Sequence, residues 1–303
     1  MKKFPLIIDA DTGIDDAVAI AVALYIKKFD VRLISSVFGN SSVESTTSNN
    51  LNLISILNKP FVKVAKGRGV NLSKASLGVS AHGKSGLGNY EFPAHNLKEL
   101  EIDAVEAMHN ELVSSTEPVT ILATGPLSNI AELLRCYPED KGKIKELVIS
   151  GGLVEDLKEG EKPYLSFNVA TDTVSAREVL GSGIKISVVP SNLGHDAYLD
   201  WKEVYKTKNM NKTGAIFEEI FRNYNDRHVK NGIATHDLCA LLFVSDPVHF
   251  EKRLAKVTIK DVDGMGVLQF DFDSNEKDTF VAVRCNTKKI KQLFFRALKK
   301  MPK

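Results

Sequence analysis

The apolar run Phe4-Pro5-Leu6-Ile7-Ile8 stops on Asp9, and after Ala10-Asp11-Thr12-Gly13-Ile14 the chain resumes with Asp15-Asp16 and an alanine-rich stretch. Residues 4–9 have the length and apolarity of a buried strand. Residues 15–29 have the alanine and leucine content and the acidic first turn of a helix. The rhythm repeats at once, with a strand over 31–38, a turn at Gly39-Asn40, a helix over 43–57 and a strand over 61–65. Strands alternating with helices argue for βαβ units. The expected fold is therefore α/β, with an open, mostly parallel central sheet and helices on both faces.

The pattern returns after a loop rich in glycine and histidine. A helix is expected over 102–114, a strand over 118–123 ending in Thr124-Gly125-Pro126, and a helix over 128–136 capped by Ser128. A strand over 145–149 ends in Ser150-Gly151-Gly152. A helix over 173–180, a strand over 184–190 and helices over 213–230 and 233–244 follow. Residues 255–285 alternate like β structure around Asp263-Gly264, and 288–300 read as a closing helix. No repeat, low-complexity tract or long linker interrupts the chain. Residues 1–303 are expected to form one domain, with the β-rich tail a candidate excursion from the main sheet.

Charge and cysteine content exclude some classes. Forty Lys and Arg against thirty-eight Asp and Glu give a net charge of +2, which offers no argument for nucleic-acid binding. No stretch reaches the roughly eighteen apolar residues of a membrane span. The opening MKKFPLIIDADTG starts like a signal peptide, but Asp9 and Asp11 break its apolar region. Cys136, Cys239 and Cys285 are odd in number and widely spaced, which points to a reducing, cytoplasmic compartment.

The acidic opening carries the most chemistry. Asp9 and Asp11 lie two apart and share one side of an extended strand. With Asp15 and Asp16 they can place up to four carboxylates at the edge where open α/β folds bind ligands. Like charges so close need a cation or hydrogen-bond donors, and hard oxygen ligands suit calcium or magnesium. Helix capping would account for Asp15 and Asp16, but not for Asp9 and Asp11 at the end of an apolar strand. The spacing is not that of an EF-hand.

Other strand ends offer candidates, each with a plainer alternative. Asn40 could donate to and accept from a hydroxyl-rich ligand, or simply form a turn. The segment 81–88, which contains His82, reads as a substrate loop or a plain surface loop; it has neither a P-loop nor a dinucleotide fingerprint. The Thr124 carbonyl could serve a hard cation, or sit in an ordinary strand-to-helix connection. Phe167 is either core or the wall of a flat-ligand pocket, and local pattern does not decide the roles of Asn168 and Asp172. His236 and Asp237 open an apolar helix. Neighbours there point to different parts of a pocket, Asp237 to a metal and His236 to a proton transfer, or else they satisfy helix-end donors. His95, His109, His195, His228 and His249 have no comparable setting and read as structural or surface residues.

Together these residues resemble the inosine–uridine nucleoside hydrolase family. The resemblance starts with DADTGIDDAVAIAVAL and runs through VFGN, AHGKSGLG, ILATGPLSNIA, ISGG, SFN and THDLCALL to the GMG at 264–266, in the expected order over essentially the whole chain. It implies cleavage of the N-glycosidic bond of a nucleoside or related riboside, a calcium ion, and assembly as a homodimer or homotetramer. Asp11, Asp16 and Asp237 resemble the family's calcium-binding carboxylates, and Thr124 the ligand that gives its backbone carbonyl. Asp11 also resembles the base that activates a calcium-bound water. Asp15, Asn40 and Asn168 resemble ribose-hydroxyl contacts, His236 the acid that protonates the leaving base, and His82 a residue of the loop near the leaving group.

One segment departs from the family. Where a Gly-Asn and then a Glu-Phe-Asn are usual, the chain has Gly160 in place of the asparagine and Ser166 in place of the glutamate, followed by Phe167-Asn168. These positions usually hold the ribose 5′-hydroxyl side. The expectation is that ordinary ribonucleosides are handled poorly, or that the 5′ end of the true ligand differs. Three competing classes are a non-catalytic nucleoside- or ribose-binding protein that kept the metal site, another metal-dependent hydrolase such as a phosphatase, and a membrane-associated protein. The last rests on the basic amphipathic tail TKKIKQLFFRALKK, for which packing on the sheet is the plainer reading.

Overall fold

The computed structural model describes residues 3–70, 81–88, 90–154, 164–224 and 229–303. In the first half the elements are β1 (Phe4–Ala10), α1 (Ile14–Tyr25), β2 (Phe29–Ser36), α2 (Val43–Ile56), β3 (Lys63–Lys66), α3 (Ala104–Ser114), β4 (Val119–Ala123), α4 (Ser128–Cys136) and β5 (Ile144–Ser150). The middle holds α5 (Phe167–Thr171), α6 (Thr173–Leu180), β6 (Ile186–Val189), α7 (Ser191–Asp196), β7 (Leu199–Asp200), α8 (Trp201–Thr207), α9 (Lys212–Phe221), β8 (Gly232–Ile233) and α10 (His236–Ser245). The chain closes with β9 (Phe250–Val262), β10 (Met265–Asp271), β11 (Thr279–Cys285) and α11 (Thr287–Leu298).

Among the described residues nine strands form one sheet in the order β10-β9-β11-β6-β5-β4-β1-β2-β3, and β7 and β8 pair separately. From β3 to β11 the neighbours are parallel, while β9 and β10 run antiparallel at one edge. The sheet is buried on both sides because its strands alternate. Leu6 and Ile8 pack into one core with α1, α10 and α11, whereas Ile7 joins α3, α4 and α6 on the opposite face. The expected mostly parallel sheet with helices on both faces is the observed one.

The order places a crevice at the middle. The chain leaves β1 for β2 and β3 on one side, then returns at β4 and continues to β5 and β6 on the other. Such a reversal opens a gap beyond the carboxyl ends of the two central strands, here β1 and β4. Asp11 follows β1 and Thr124 follows β4, so both stand at its lip.

Three expectations need correction. The first helix ends at Tyr25 rather than 29, because Phe29 already pairs with Phe4 as the first residue of β2. The helix expected over 213–230 ends at Phe221, and 225–228 lie outside the described residues. The β-rich tail does not leave the main sheet. β11 inserts between β6 and β9, burying Val281 on one face and Ala282 on the other, so the tail lengthens the sheet and its core. Among the described residues no helix is long and apolar enough to cross a membrane.

Candidate active site

The acids converge because three chain segments end at the crevice. Asp11 leaves β1, Asp15 and Asp16 start α1, and Asp237 lies in the first turn of α10. Ligand oxygens of Asp15, Asp16 and Asp237 lie within 4.8 Å of one another. A hard cation with oxygen ligands at about 2.3–2.6 Å can touch atoms up to about 5 Å apart, so this spacing suits one ion. Asp11 completes the acidic wall. Its Oδ2 accepts from the Asn40 backbone N–H at 2.8 Å, while its buried Oδ1 has no hydrogen-bond partner among the described residues. Space for this carboxylate depends on Gly39, where a Cβ would stand 2.0 Å from Asp11 Oδ2.

Asp16 ties the segments together. Its Oδ2 accepts from Gly13 N at 2.9 Å and from Asn40 Nδ2 at 3.1 Å, and its Oδ1 accepts from Thr124 Oγ1 at 2.7 Å. The helix-capping alternative is therefore half right for this residue, since one carboxylate serves both the start of α1 and the site. The Thr124 carbonyl accepts from Asn168 Nδ2 at 2.6 Å, and the same amide reaches the Ser150 carbonyl at 3.2 Å. The Ser150 side chain beside Asp237 favours the charged form of that carboxylate.

The four acids are at most 8% exposed, and this burial shapes their charge. Desolvation, then the charge of Asp16, pushes Asp11 well above the ordinary carboxylate range. Desolvation, then Asp15 and Asp16, does the same to Asp237. Asp16 rises to about 6, again by burial first and Asp15 second, although the hydrogen bonds from Thr124 and Gly13 oppose the shift. A buried nest of mutually repelling carboxylates, one with an orphaned oxygen, has the chemistry to hold a divalent cation.

Two histidines, His82 and His236, lie beside the acids. His82 Nδ1 accepts from Ile14 N at 3.0 Å, lies 3.9 Å from Asp15 Oδ1, and its ring stands 5.1 Å from that of Tyr224. The 81–88 loop is docked on the start of α1, and Asn49 Nδ2 holds it through the Ser85 carbonyl at 2.8 Å. His236 opens α10 beside Asp237, with its ring 4.9 Å from that of His195. Ser166 is buried just before α5, Phe167 is half-buried in its first turn, and Gly160 lies outside the described residues.

The structure thus links Asp11, Asp15, Asp16, Asn40, His82, Thr124, Asn168 and Asp237, with His236 adjoining. Two acids near them serve the scaffold. Asp9 Oδ1 accepts from Ser35 Oγ at 2.6 Å and Asn129 Nδ2 at 2.8 Å, and burial raises this carboxyl to about 6. Asp172 caps α6 through Ser175 N at 3.1 Å. Sequence reasoning did not anticipate the contacts that Ser150, Tyr224 and His195 make with these residues. Ser150 carried a signal, since it ends a strand beside Gly151-Gly152. Tyr224 and His195 carried none, because their contacts are made across the fold.

Comparison with known proteins agrees with this geometry. A family model described as inosine-uridine preferring nucleoside hydrolase matches residues 6–292. The non-specific ribonucleoside hydrolase RihC of Escherichia coli O139:H28 is 38% identical over 259 residues, which span 85% of this chain and 84% of that protein. RihC of Shigella boydii serotype 18 is 37% identical over the same shares. Among solved structures, a purine-preferring ribonucleoside hydrolase from Gardnerella vaginalis superposes with a TM-score of 0.88 at 24% identity, covering 97% of this chain and 98% of that one. A plant nucleoside hydrolase, PpNRh1, gives a TM-score of 0.89 at 24% identity over 99% and 100% of the two chains.

Proposed function

The chain belongs to the inosine–uridine preferring nucleoside hydrolase family, and from that premise we propose that it is a calcium-dependent hydrolase of ribonucleosides or related ribosides. Membership supports hydrolysis of the N-glycosidic bond of a ribonucleoside; the ion, the residue roles and the precise riboside are our reading. The observation that carries it is the buried convergence of Asp15, Asp16 and Asp237, with Asp11 beside them, at the β1/β4 crevice.

Asp11, Asp16, Asp237 and the Thr124 carbonyl would hold the ion, and the close approach of Asp15 adds a carboxylate to the same cluster. When bound, calcium would lower the pKa of a water and fix the ribose 2′- and 3′-hydroxyls. Asp11 takes the proton of the attacking water, and its orphaned Oδ1 is an acceptor suited to that task. Asp15, Asn40 and Asn168 hold the ribose hydroxyls and so fix C1′ against the nucleophile. The buried carboxylates favour the positive charge that builds on the sugar as the bond stretches, more than they favour neutral substrate. His236 donates a proton to the departing base, and His82 borders that side.

The same reading treats 1–303 as one nucleoside hydrolase-like domain, assembled as a homodimer or homotetramer and working in the cytoplasm. It also takes the Gly160 and Ser166 departures to alter handling of the ribose 5′ end. The test is a panel of ribosides with released ribose as readout, run after chelation and again with calcium restored. Calcium-dependent release of ribose and base supports the proposal. Ligand and metal binding without any release would favour a non-catalytic binding protein instead.

A further inference from the structure

His236 starts α10 where that helix meets α7, and the contact between them is unusually close. A Cβ built on Gly194 would stand 2.3 Å from His236 Nδ1 and 2.7 Å from the His236 backbone N and Cα. The Gly194 carbonyl accepts from Thr235 N at 3.2 Å, and Thr235 Oγ1 donates to the Ala197 carbonyl at 3.2 Å. The backbone just before His236 is therefore fastened to α7. The residue after Gly194 then meets the imidazole itself. His195 sets its ring edge-to-face against His236, with centroids 4.9 Å apart and planes at 80°. Tyr164 meets the His195 ring in turn, at 6.4 Å and 86°.

An imidazole that must deliver a proton to one ring atom of a base has little angular tolerance. Proton transfer needs heavy atoms about 2.6–3.2 Å apart, and misplacement by about 1 Å can cost about a hundredfold in rate. A side chain on a helix start can turn about two bonds. Gly194 removes the clash that any larger residue would bring to one side of the ring and to the backbone that carries it, and His195 packs edge-to-face on another side.

We propose that His195, backed by the bare backbone of Gly194, is a positioning residue that holds the His236 ring in line with the leaving base. This rests on the proposed role of His236 as the acid at that base. It gives a function to a histidine that has no motif of its own, and to an α7–α10 contact that the rest of the mechanism does not use.

The experiment compares two substrates: inosine or uridine, whichever is hydrolysed faster, and a nitrophenyl riboside, whose phenolate departs without a proton. kcat/KM is measured on both for the wild type, His236→Ala, His195→Ala, His195→Phe and Gly194→Ala, with thermal melting as a check on folding. His195→Ala should lose several-fold to about tenfold more on the nucleoside than on the nitrophenyl riboside, the scale of one aromatic pair. His195→Phe, which keeps a ring at that place, should recover most of the difference, while Gly194→Ala, whose Cβ would also meet the His236 backbone, should lose at least as much on the nucleoside as His195→Ala. Equal losses from His195→Ala on both substrates, or no loss from it, would overturn the inference while leaving the acid role of His236 intact. If His236→Ala itself shows no preference between the two leaving groups, the acid assignment fails and the positioning role falls with it.

Discussion

Asn168 Nδ2 donates to the carbonyl oxygen of Thr124 at 2.6 Å, joining a residue proposed to hold ribose to one proposed to hold the metal. A carbonyl oxygen has two lone pairs, so one can take the amide while the other faces a cation. Asn168→Ala should then weaken calcium binding and raise KM together, by about tenfold each, the worth of one lost hydrogen bond in a polar site. Calorimetric calcium titration and KM for the nucleoside check this. A rise in KM with unchanged calcium affinity would separate the two roles.

Removal of the ion should unmask the repulsion among the acids. Chelation is expected to abolish ribose release and lower the melting temperature, and added calcium should restore both. At a calcium concentration about a hundred times Kd, the stabilisation is about 2.7 kcal/mol. In Asp237→Asn the calcium-induced rise in melting temperature should shrink sharply, since one of the three converging carboxylates is lost. A melting temperature that ignores calcium in the wild type would leave the cluster without an ion.

Stability of the chelated protein should depend on pH in an unusual direction. Asp9 and Asp16 are raised to about 6 in the folded chain, each chiefly by burial. Unfolded aspartates release their protons near pH 3.9. Between about pH 4 and about pH 6 the folded state therefore binds more protons than the unfolded one, and these two groups lower stability as pH rises. Asp9 is the cleaner probe, because its hydrogen-bond partners are Ser35 in β2 and Asn129 at the start of α4. Asp9→Asn keeps an oxygen for Ser35 and Asn129 but cannot ionise. Its stability relative to wild type should increase from about pH 4 to about pH 7, measured by urea unfolding with a chelator present.

The fold was largely legible because strand-length apolar runs alternate with helix-length ones through the first half of the chain, although Ser128, read as a cap, lies inside α4 and donates to Asp172 instead. The acidic cluster was legible because carboxylates at the end of an apolar strand have few structural explanations. What escaped depends on distance in sequence. Asp9 looked like Asp11, two residues away, yet Ser35 of β2 and Asn129 of α4 bind it. Nothing local to residue 195 announces that its ring meets residue 236. The tail's place in the sheet was equally hidden, because alternation marks a strand but not its neighbour.

Gly39 is a further test of how tightly Asp11 is seated. A methyl group there would stand 2.0 Å from Asp11 Oδ2, so Gly39→Ala must move the carboxylate or the turn that carries Asn40. Overpacking of this kind costs about 1–3 kcal/mol of stability. The larger effect should be on kcat, because the acceptor for the water's proton is displaced. A variant that melts close to wild type but retains full kcat would show that Asp11 tolerates the shift.

Ser166 offers the sharpest test of substrate choice. It stands where the resembled family usually has a glutamate, is only 2% exposed, and has its Oγ 2.6 Å from where a Cβ on Gly151 would lie. A short neutral hydroxyl in that recess cannot offer the charged acceptor that a longer carboxylate would bring to a ribose 5′-hydroxyl. A hydrogen bond to a charged group is worth about 1.5–3 kcal/mol, or roughly tenfold to a hundredfold. Ser166→Glu should therefore raise kcat/KM for inosine or uridine by about that factor, and leave the 5′-deoxy analogue, which has no hydroxyl to bind, nearly unchanged. The wild type should discriminate little between the two. Thermal melting must accompany the assay, because a carboxylate buried without its partner destabilises the fold. Turnover of inosine by the wild type at the rate of an efficient hydrolase, with no gain from the added carboxylate, would show that the 5′ end is recognised by other residues.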